Sequence, residues 1–275
     1  MPDKNFDLEL RLLLDAIYLK HHYDFRGYAT ASLKRRLKSA LLRFNCRTLS
    51  QLQDKLLHDS DVFNALLDFL TVPVSEMFRD PPYFKSLREQ VIPLLRTYPS
   101  LKVWVAGCST GEEAYSLAIL LHEEGLLARS LIYATDINPK TLQKAEAGVY
   151  DVQRMANFTE NHRGSGARSS LSDYYTAAYG RAILDKSLRE HIVFSDHSLA
   201  TDSVFAEVHL VSCRNVLIYF NRDLQDRAIG LFSESLVRKG FLGIGSKESL
   251  RFSAYADEFA DVVHVDRIYQ KRDAQ

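Results

Sequence analysis

The stretch from Leu101 to Asp136 constrains this chain more than any other. Val103-Trp104-Val105-Ala106 is a short unbroken apolar run, as expected of a parallel strand buried on both faces. It leads into Gly107-Cys108-Ser109-Thr110-Gly111, after which a helix is predicted over Glu112 to Glu124. A second apolar run, Leu131-Ile132-Tyr133-Ala134, ends at Thr135-Asp136, and another helix is predicted over Pro139 to Ala147. Strand, glycine turn, helix, strand, acidic residue is the order of a nucleotide-binding α/β half. Glycine lets backbone approach a ligand where the first strand ends. Asp136 falls where a carboxylate would accept from ribose hydroxyls. A dinucleotide site would use GxGxxG to cradle a pyrophosphate. Gly107 to Gly111 does not match, so an adenosine cofactor without phosphates fits better. By itself the turn would also suit any strand-to-helix corner of an α/β protein.

The first ninety residues read differently. Leu33, Leu37, Ala40, Leu41 and Phe44 fall at helical spacing, as do Leu49, Leu52, Leu56 and Leu57, then Val62, Ala65, Leu66, Phe69 and Leu70. A small all-helical domain is expected over residues 1–90, followed by an α/β domain over 91–275. Asp80-Pro81-Pro82-Tyr83 breaks the helical pattern. Within residues 151–190, Gly164, Gly166, Ser169 and Ser170 suggest a mobile connection, and Tyr174, Tyr175 and Tyr179 a small inserted subdomain. Strands are expected at His191 to Phe194 and Val208 to Ser212. A helix is expected from Leu224 to Arg238, stopping at Gly240. Closing strands are expected at Phe241 to Ile244 and Val262 to Ile268.

Lysine plus arginine balances aspartate plus glutamate, 35 against 35. A dedicated nucleic-acid binder usually carries a basic excess, so no nucleic-acid partner is expected. Cys46, Cys108 and Cys213 are odd in number and far apart, with no CxxC or His/Cys ligand spacing. Neither disulfides nor a metal site is expected. The apolar stretch from Leu8 to Leu19 is broken by Glu9, Arg11 and Asp15, too short and charged for a signal peptide or membrane span. A cytoplasmic, monomeric protein without membrane insertion is the expectation.

Four ordered segments carry a resemblance. Ala106-Gly-Cys-Ser-Thr-Gly-Glu-Glu-Ala-Tyr-Ser116 resembles the AACSTGEEPYS segment of the chemotaxis receptor methyltransferases, the CheR family. Cys213-Arg-Asn-Val-Leu-Ile-Tyr-Phe220 matches that family's CRNVLIYF. Ser75-Glu-Met-Phe-Arg-Asp80 is similar to its TxFFRD, and Ala134-Thr-Asp-Ile-Asn138 to its A-(S/T)-D-I-(D/N). The resemblance implies a helical receptor-docking domain and a doubly wound, Rossmann-like S-adenosylmethionine-dependent methyltransferase domain. The product cofactor would be S-adenosylhomocysteine. The implied reaction esterifies glutamate side chains on the cytoplasmic methylation helices of chemoreceptors or a receptor-like protein. In some members the inserted subdomain recognises a C-terminal pentapeptide tether.

Position by position, the resemblance makes Glu112 the contact to the cofactor's methionine amino end, and Asp136 the ribose contact beside Gly107. It puts Ser198 and Leu199 on the adenine side and makes Arg214 and Asn215 cofactor contacts. Pro73 and Ser75 take positions of cofactor contacts, and Arg79 and Tyr219 lie beside the transferred methyl. The chain departs from the pattern at several of these positions. Pro73 and Ser198 replace asparagines, Ser75 a threonine, Met77 a phenylalanine and Ala114 a proline, and Ser246-Lys247 replaces His-Ser. The two lost asparagines could each remove a hydrogen bond of about 0.5–1.5 kcal/mol and weaken cofactor binding.

The implied chemistry asks little of the protein. A glutamate carboxylate is ionised at neutral pH, so no general base is needed. Arg79 could orient it bidentately, and no metal is required. The run Arg26, Lys34, Arg35, Arg36, Lys38, Arg43, Arg47 has no acidic residue between Phe25 and Gln53. Its default meaning is a solvated helix face. In the family the N-terminal helices dock on acidic receptor helices, which would make Lys34, Arg35, Arg36 and Lys38 a docking surface. Two rivals differ in class. One is a non-catalytic cofactor-binding scaffold or sensor. The other is a DNA amino-methyltransferase, whose DPPY motif Asp80-Pro-Pro-Tyr83 spells, although here the tetrapeptide follows no strand.

Overall fold

The computed structural model describes residues 4–273. Four helices come first: α1 (Lys4–His21), α2 (Thr30–Arg43), α3 (Leu49–His58) and α4 (Ser60–Leu70). Thr48 and Asp59 cap α3 and α4 by accepting from Gln51 N–H and Asp61 N–H. The apolar stripes meet in one core of Leu13, Ile17, Leu33, Leu37, Leu52, Leu56, Leu66 and Leu70. That core ends at Leu70. Met77, Phe78, Tyr83, Phe84 and Leu87 belong to the core beneath the sheet. The packing boundary therefore lies within residues 71–76, not at the residue 90 expected from sequence.

Two short helices, α5 (Pro81–Ser86) and α6 (Ile92–Leu95), lead into the α/β domain. It continues through β1 (Leu101–Ala106), α7 (Glu112–Glu123), β2 (Ser130–Asp136) and α8 (Pro139–Ala147). Then come β3 (Val149–Asp151), α9 (Met155–Gly164), β4 (Tyr175–Ala178), β5 (Arg181–Leu184) and α10 (Lys186–Arg189). The chain closes with β6 (Ile192–Asp196), β7 (Val208–Cys213), α11 (Arg222–Ser235), β8 (Leu236–Ile244), β9 (Phe259–Val263) and β10 (Ile268–Lys271).

The main sheet has the order β6-β2-β1-β7-β8-β10-β9. Strands β6, β2, β1, β7 and β8 are parallel, and β10 pairs antiparallel with both β8 and β9. Side chains of β1 alternate between two cores, Val103 and Val105 on one face, Trp104 and Ala106 on the other. Burial on both faces is why this strand reads as a continuous apolar run. The chain builds β1, β2 and β6 in one direction, then returns to place β7 on the other side of β1. The carboxyl ends of β1 and β7 thus flank the crevice where doubly wound sheets bind ligands.

Residues 151–190, read as a mobile connection with a small subdomain, form α9 and part of a three-stranded sheet ordered β3-β5-β4. The helix expected to run to Arg238 ends at Ser235. The chain passes directly into β8, with Gly240 inside the strand instead of stopping a helix. A Cβ on Gly240 would lie 2.9 Å from the Val237 carbonyl oxygen and 3.3 Å from that of His209. The last expected strand, Val262 to Ile268, is split by a turn between β9 and β10.

The helical domain is bonded to the sheet domain beside that crevice. Asn138 Nδ2 donates to Asp68 Oδ1 and Thr71 Oγ1, both at 3.1 Å. Lys140 pairs with Asp68 at 2.8 Å. Ala29 N–H donates to the Tyr219 carbonyl at 2.8 Å, and Tyr28 packs edge-on against Phe220.

Candidate functional site

A cleft of about 910 Å³, open mouth included, lies where the two domains meet. The β1–α7 turn forms its floor. Gly107 has φ +75°, and a Cβ there would sit 2.4 Å from Val216 Cγ2. Only glycine fits. Gly111 has φ +90°, and its Cβ would meet that of Ala145 at 2.9 Å. Ser109 also has positive φ; its N–H donates to Asp136 Oδ2 at 2.9 Å, and its Oγ is buried without a partner.

Asp136 ends β2 and lines the cleft. Its Oδ1 accepts from Asn138 N–H at 3.0 Å. Burial pushes its carboxyl above the ordinary aspartate range, against the pull of the backbone N–H groups of Asn138, Ser109 and Ile137. A carboxylate held this way gains from further donors, such as the hydroxyls of a bound ligand.

Arg79 lines the cleft between two strained neighbours, Phe78 at φ +52° and Asp80 at φ +55°. Phe78 is buried beneath it, with its N–H bonded to Ser116 Oγ at 2.8 Å. Arg214, at the end of β7, holds the other side of this corner. Its Nη2 donates to the Arg79 carbonyl at 2.9 Å and to Asp80 Oδ2 at 2.7 Å. Its Nη1 donates to Glu113 Oε2 at 3.2 Å, and its guanidinium lies over the Tyr83 ring at 4.1 Å. The Arg79 backbone is therefore clamped, while its guanidinium has no hydrogen bond or ion pair among the described residues. Tyr219 faces the same space.

Asn215, with φ +61°, also lines the cleft, its N–H donating to Glu248 Oε2 at 3.1 Å. Pro73, Ser75 and Leu199 complete the set of sequence-derived residues that the fold brings together here. Two expected site residues lie elsewhere. Glu112 is fully buried beneath the turn, accepting from Arg154 Nη1 at 2.9 Å and Thr110 Oγ1 at 2.6 Å. Arg154 in turn donates to the Ser75 carbonyl, so Glu112 braces the 72–76 segment, and its neighbour Glu113 lines the cleft instead. Ser198 shapes a turn, its Oγ accepting from Ala200 N–H at 3.3 Å. Its neighbours His197 and Leu199 line the cleft. His197 Nδ1 is buried without a partner, while Nε2 lies 3.2 Å from the Ser203 carbonyl oxygen.

Arg36 requires the largest correction. Expected on the outer docking face of α2, it is 9% exposed and turned into the cleft. Of the other three, Lys34 pairs with Asp7, whereas Arg35 and Lys38 are exposed. Tyr28, Arg36, Glu113 and His197 are among the cleft residues that sequence reasoning did not assign to it. Tyr83 of the DPPY tetrapeptide is buried, its hydroxyl 2.8 Å from Ser212 Oγ, so this motif serves the core and not a base pocket. Among the described residues no cluster of His, Cys, Asp or Glu could hold a metal, and no helix is long and apolar enough to cross a membrane.

Comparison with known proteins identifies the two domains. Residues 73–263 match the family model described as CheR methyltransferase, SAM binding domain, and residues 8–71 that described as CheR methyltransferase, all-alpha domain. A Pseudomonas putida protein named "Putative methyltransferase Cher3" is 61% identical over 98% of each chain. A "Chemotaxis protein methyltransferase" of Listeria monocytogenes is 34% identical over 82% of this chain and 84% of its own.

Proposed function

Because the chain belongs to the CheR methyltransferase family, we propose that it transfers a methyl group from S-adenosylmethionine to glutamate carboxylates of a chemoreceptor or receptor-like protein. The observation that carries this reading is the clamped Arg79, with an unpartnered guanidinium, in the same cleft as the Gly107–Asp136 cradle. The cradle suits an adenosine cofactor: Gly107 lets the turn close against Val216 at the cleft floor, and the Asp136 carboxylate and the unpartnered Ser109 Oγ and His197 Nδ1 offer polar contacts. When bound, the cofactor would supply an electrophilic sulfonium methyl, which an ionised acceptor carboxylate can take without any proton transfer. The protein's task is alignment. Arg79 orients the carboxylate, Tyr219 walls the reacting space, and the helical domain limits water.

Asp136→Ala should weaken S-adenosylhomocysteine binding by about 1–3 kcal/mol, through lost ribose hydrogen bonds to a charged group. Unchanged affinity by calorimetry, in a folded variant, would remove Asp136 from the site. Docking of the acceptor helix is assigned to the exposed Arg35 and Lys38. Arg35→Glu with Lys38→Glu should raise the apparent KM for receptor at low salt. The difference should shrink as salt rises, since exposed charges are screened beyond about 8 Å at physiological ionic strength. Normal KM at both low and high salt would leave that face merely solvated.

The reaction itself is tested with labelled S-adenosylmethionine and the cytoplasmic part of a chemoreceptor. Label that mild alkali releases as methanol is expected of a carboxyl ester. Alkali-stable label would point to nitrogen or sulfur as the acceptor.

A further inference from the structure

Tyr28 belongs to the loop between α1 and α2, yet it is fastened to the sheet domain. Asn221 N–H donates to the Gly27 carbonyl and Ala29 N–H to the Tyr219 carbonyl, both at 2.8 Å. Tyr28 thereby pairs with Phe220 in a short antiparallel bridge. Its ring is held edge-on by Phe25 at 4.9 Å and by Phe220 at 5.0 Å. Backbone and ring are fixed, and the hydroxyl is left over. It makes no hydrogen bond among the described residues, although the half-buried Tyr28 lines the cleft together with Asp136.

A tyrosine hydroxyl drawn into a protein interior usually finds a partner. Here the surroundings also keep its proton in place. Burial pushes the phenol above the ordinary tyrosine range, and the Asp136 carboxylate pushes it further, against the opposite pull of Arg36. Asp136 has the reverse character, because an ionised carboxylate can only accept. A donor from one domain and an acceptor from the other thus border one space. A sugar hydroxyl satisfies both, giving its proton to the carboxylate while its oxygen accepts from the phenol. An ammonium has no lone pair and would satisfy the carboxylate alone.

Resting on the proposed reading of the Gly107–Asp136 cradle as the cofactor site, we propose that Tyr28 is a cofactor-contacting residue, its hydroxyl donating to a ribose oxygen of the adenosine that Asp136 holds. The cofactor is then gripped by both domains, and the helical domain completes its site. Ring and backbone are fixed before binding, so little side-chain freedom remains to be lost. The ribose is unchanged by methyl transfer, so this contact is equally strong before and during the reaction. It contributes to cofactor affinity and leaves the maximal rate nearly as it was.

The test is calorimetry of S-adenosylhomocysteine and its 2′-deoxy and 3′-deoxy analogues on the intact chain and on Tyr28→Phe. The variant should bind S-adenosylhomocysteine about 3- to 10-fold more weakly, as expected for one lost hydrogen bond between uncharged groups. The ring and its packing remain, so the melting temperature without cofactor should not change. At least one deoxy analogue should lose less affinity, relative to S-adenosylhomocysteine, in Tyr28→Phe than in the unaltered protein. Loss of the Asp136 contact is common to both proteins, so the difference isolates the pairing of Tyr28 with the ribose. Equal affinity of the two proteins for S-adenosylhomocysteine overturns the inference. So does a weakening that is the same for the parent compound and both analogues, since Tyr28 would then act through the packing of the domains. A melting temperature lowered by several degrees would make the hydroxyl part of the fold, and overturns it as well. If the unaltered protein binds no S-adenosylhomocysteine at all, the cofactor reading itself fails, and this inference with it.

Discussion

Arg79→Ala should lower the maximal rate of methyl transfer on the order of a hundredfold or more, while the melting temperature stays close to that of the unaltered protein. The guanidinium makes no hydrogen bond or ion pair among the described residues, so its removal breaks no polar contact that holds the fold. The backbone bonds at this corner, from Arg214 to the Arg79 carbonyl and from Phe78 N–H to Ser116, survive the substitution. What is lost is control over the direction from which a carboxylate meets the methyl, and misplacement by about 1 Å can account for a factor near a hundred. The comparison is made under saturating acceptor, with stability measured in parallel. Full activity in the alanine variant would remove Arg79 from the site.

Arg214→Ala should be damaging in a different way. Its side chain is almost wholly buried and bonds Glu113, Asp80 and the Arg79 carbonyl at once. Removing it leaves Glu113 without its cation and frees the strained Arg79 corner. Breaking a buried ion pair from one side destabilises by about 3 kcal/mol or more, which is on the order of 10 °C in Tm for a chain of this size. Activity should fall further than lost stability explains, because the clamp on Arg79 disappears. Arg214→Lys should not rescue it, since one ammonium nitrogen cannot occupy both the Nη1 position that reaches Glu113 and the Nη2 position that reaches Asp80 and the Arg79 carbonyl. Thermal melting and turnover, measured together below the melting transition, check this. A variant with ordinary stability and turnover would show that the clamp is dispensable.

The two predictions differ because one arginine is held by the protein and the other is left for a ligand. That distinction was only partly legible in the sequence. The Gly107 turn and Asp136 could be read because strand, turn and strand end are local features with fixed geometry. The direction of a helical side chain depends on how the helix is rotated against its neighbours. Glu112 and Glu113 are adjacent in the first turn of α7, about 100° apart around its axis. Only packing decides that Glu112 faces Arg154 while Glu113 faces Arg214.

Arg36 did carry a signal. It shares the buried stripe of α2 with Leu33, Leu37 and Ala40, so the helical period alone turns it inward. Reading the basic run as a charge cluster, without following the period, put it on the outside. Ser198 shows the opposite limit. An Asn-to-Ser change within a recognisable motif gave no hint that the serine oxygen would accept from Ala200 N–H, leaving His197 to face the cleft. The helical domain's contribution depends on long-range contacts between Asp68 or Thr71 and Asn138, and between Ala29 and Tyr219, which no local pattern encodes.

The measurement that tests the central claim most directly is fragment mass spectrometry of the acceptor after reaction with S-adenosylmethionine. The account predicts a methyl group on glutamate side chains of the acceptor's cytoplasmic helices, removed by mild alkali and nearly absent when Arg79→Ala replaces the unaltered protein. A methyl group on lysine, arginine, cysteine or the adenine ring of added DNA, with glutamate unmodified, would contradict it.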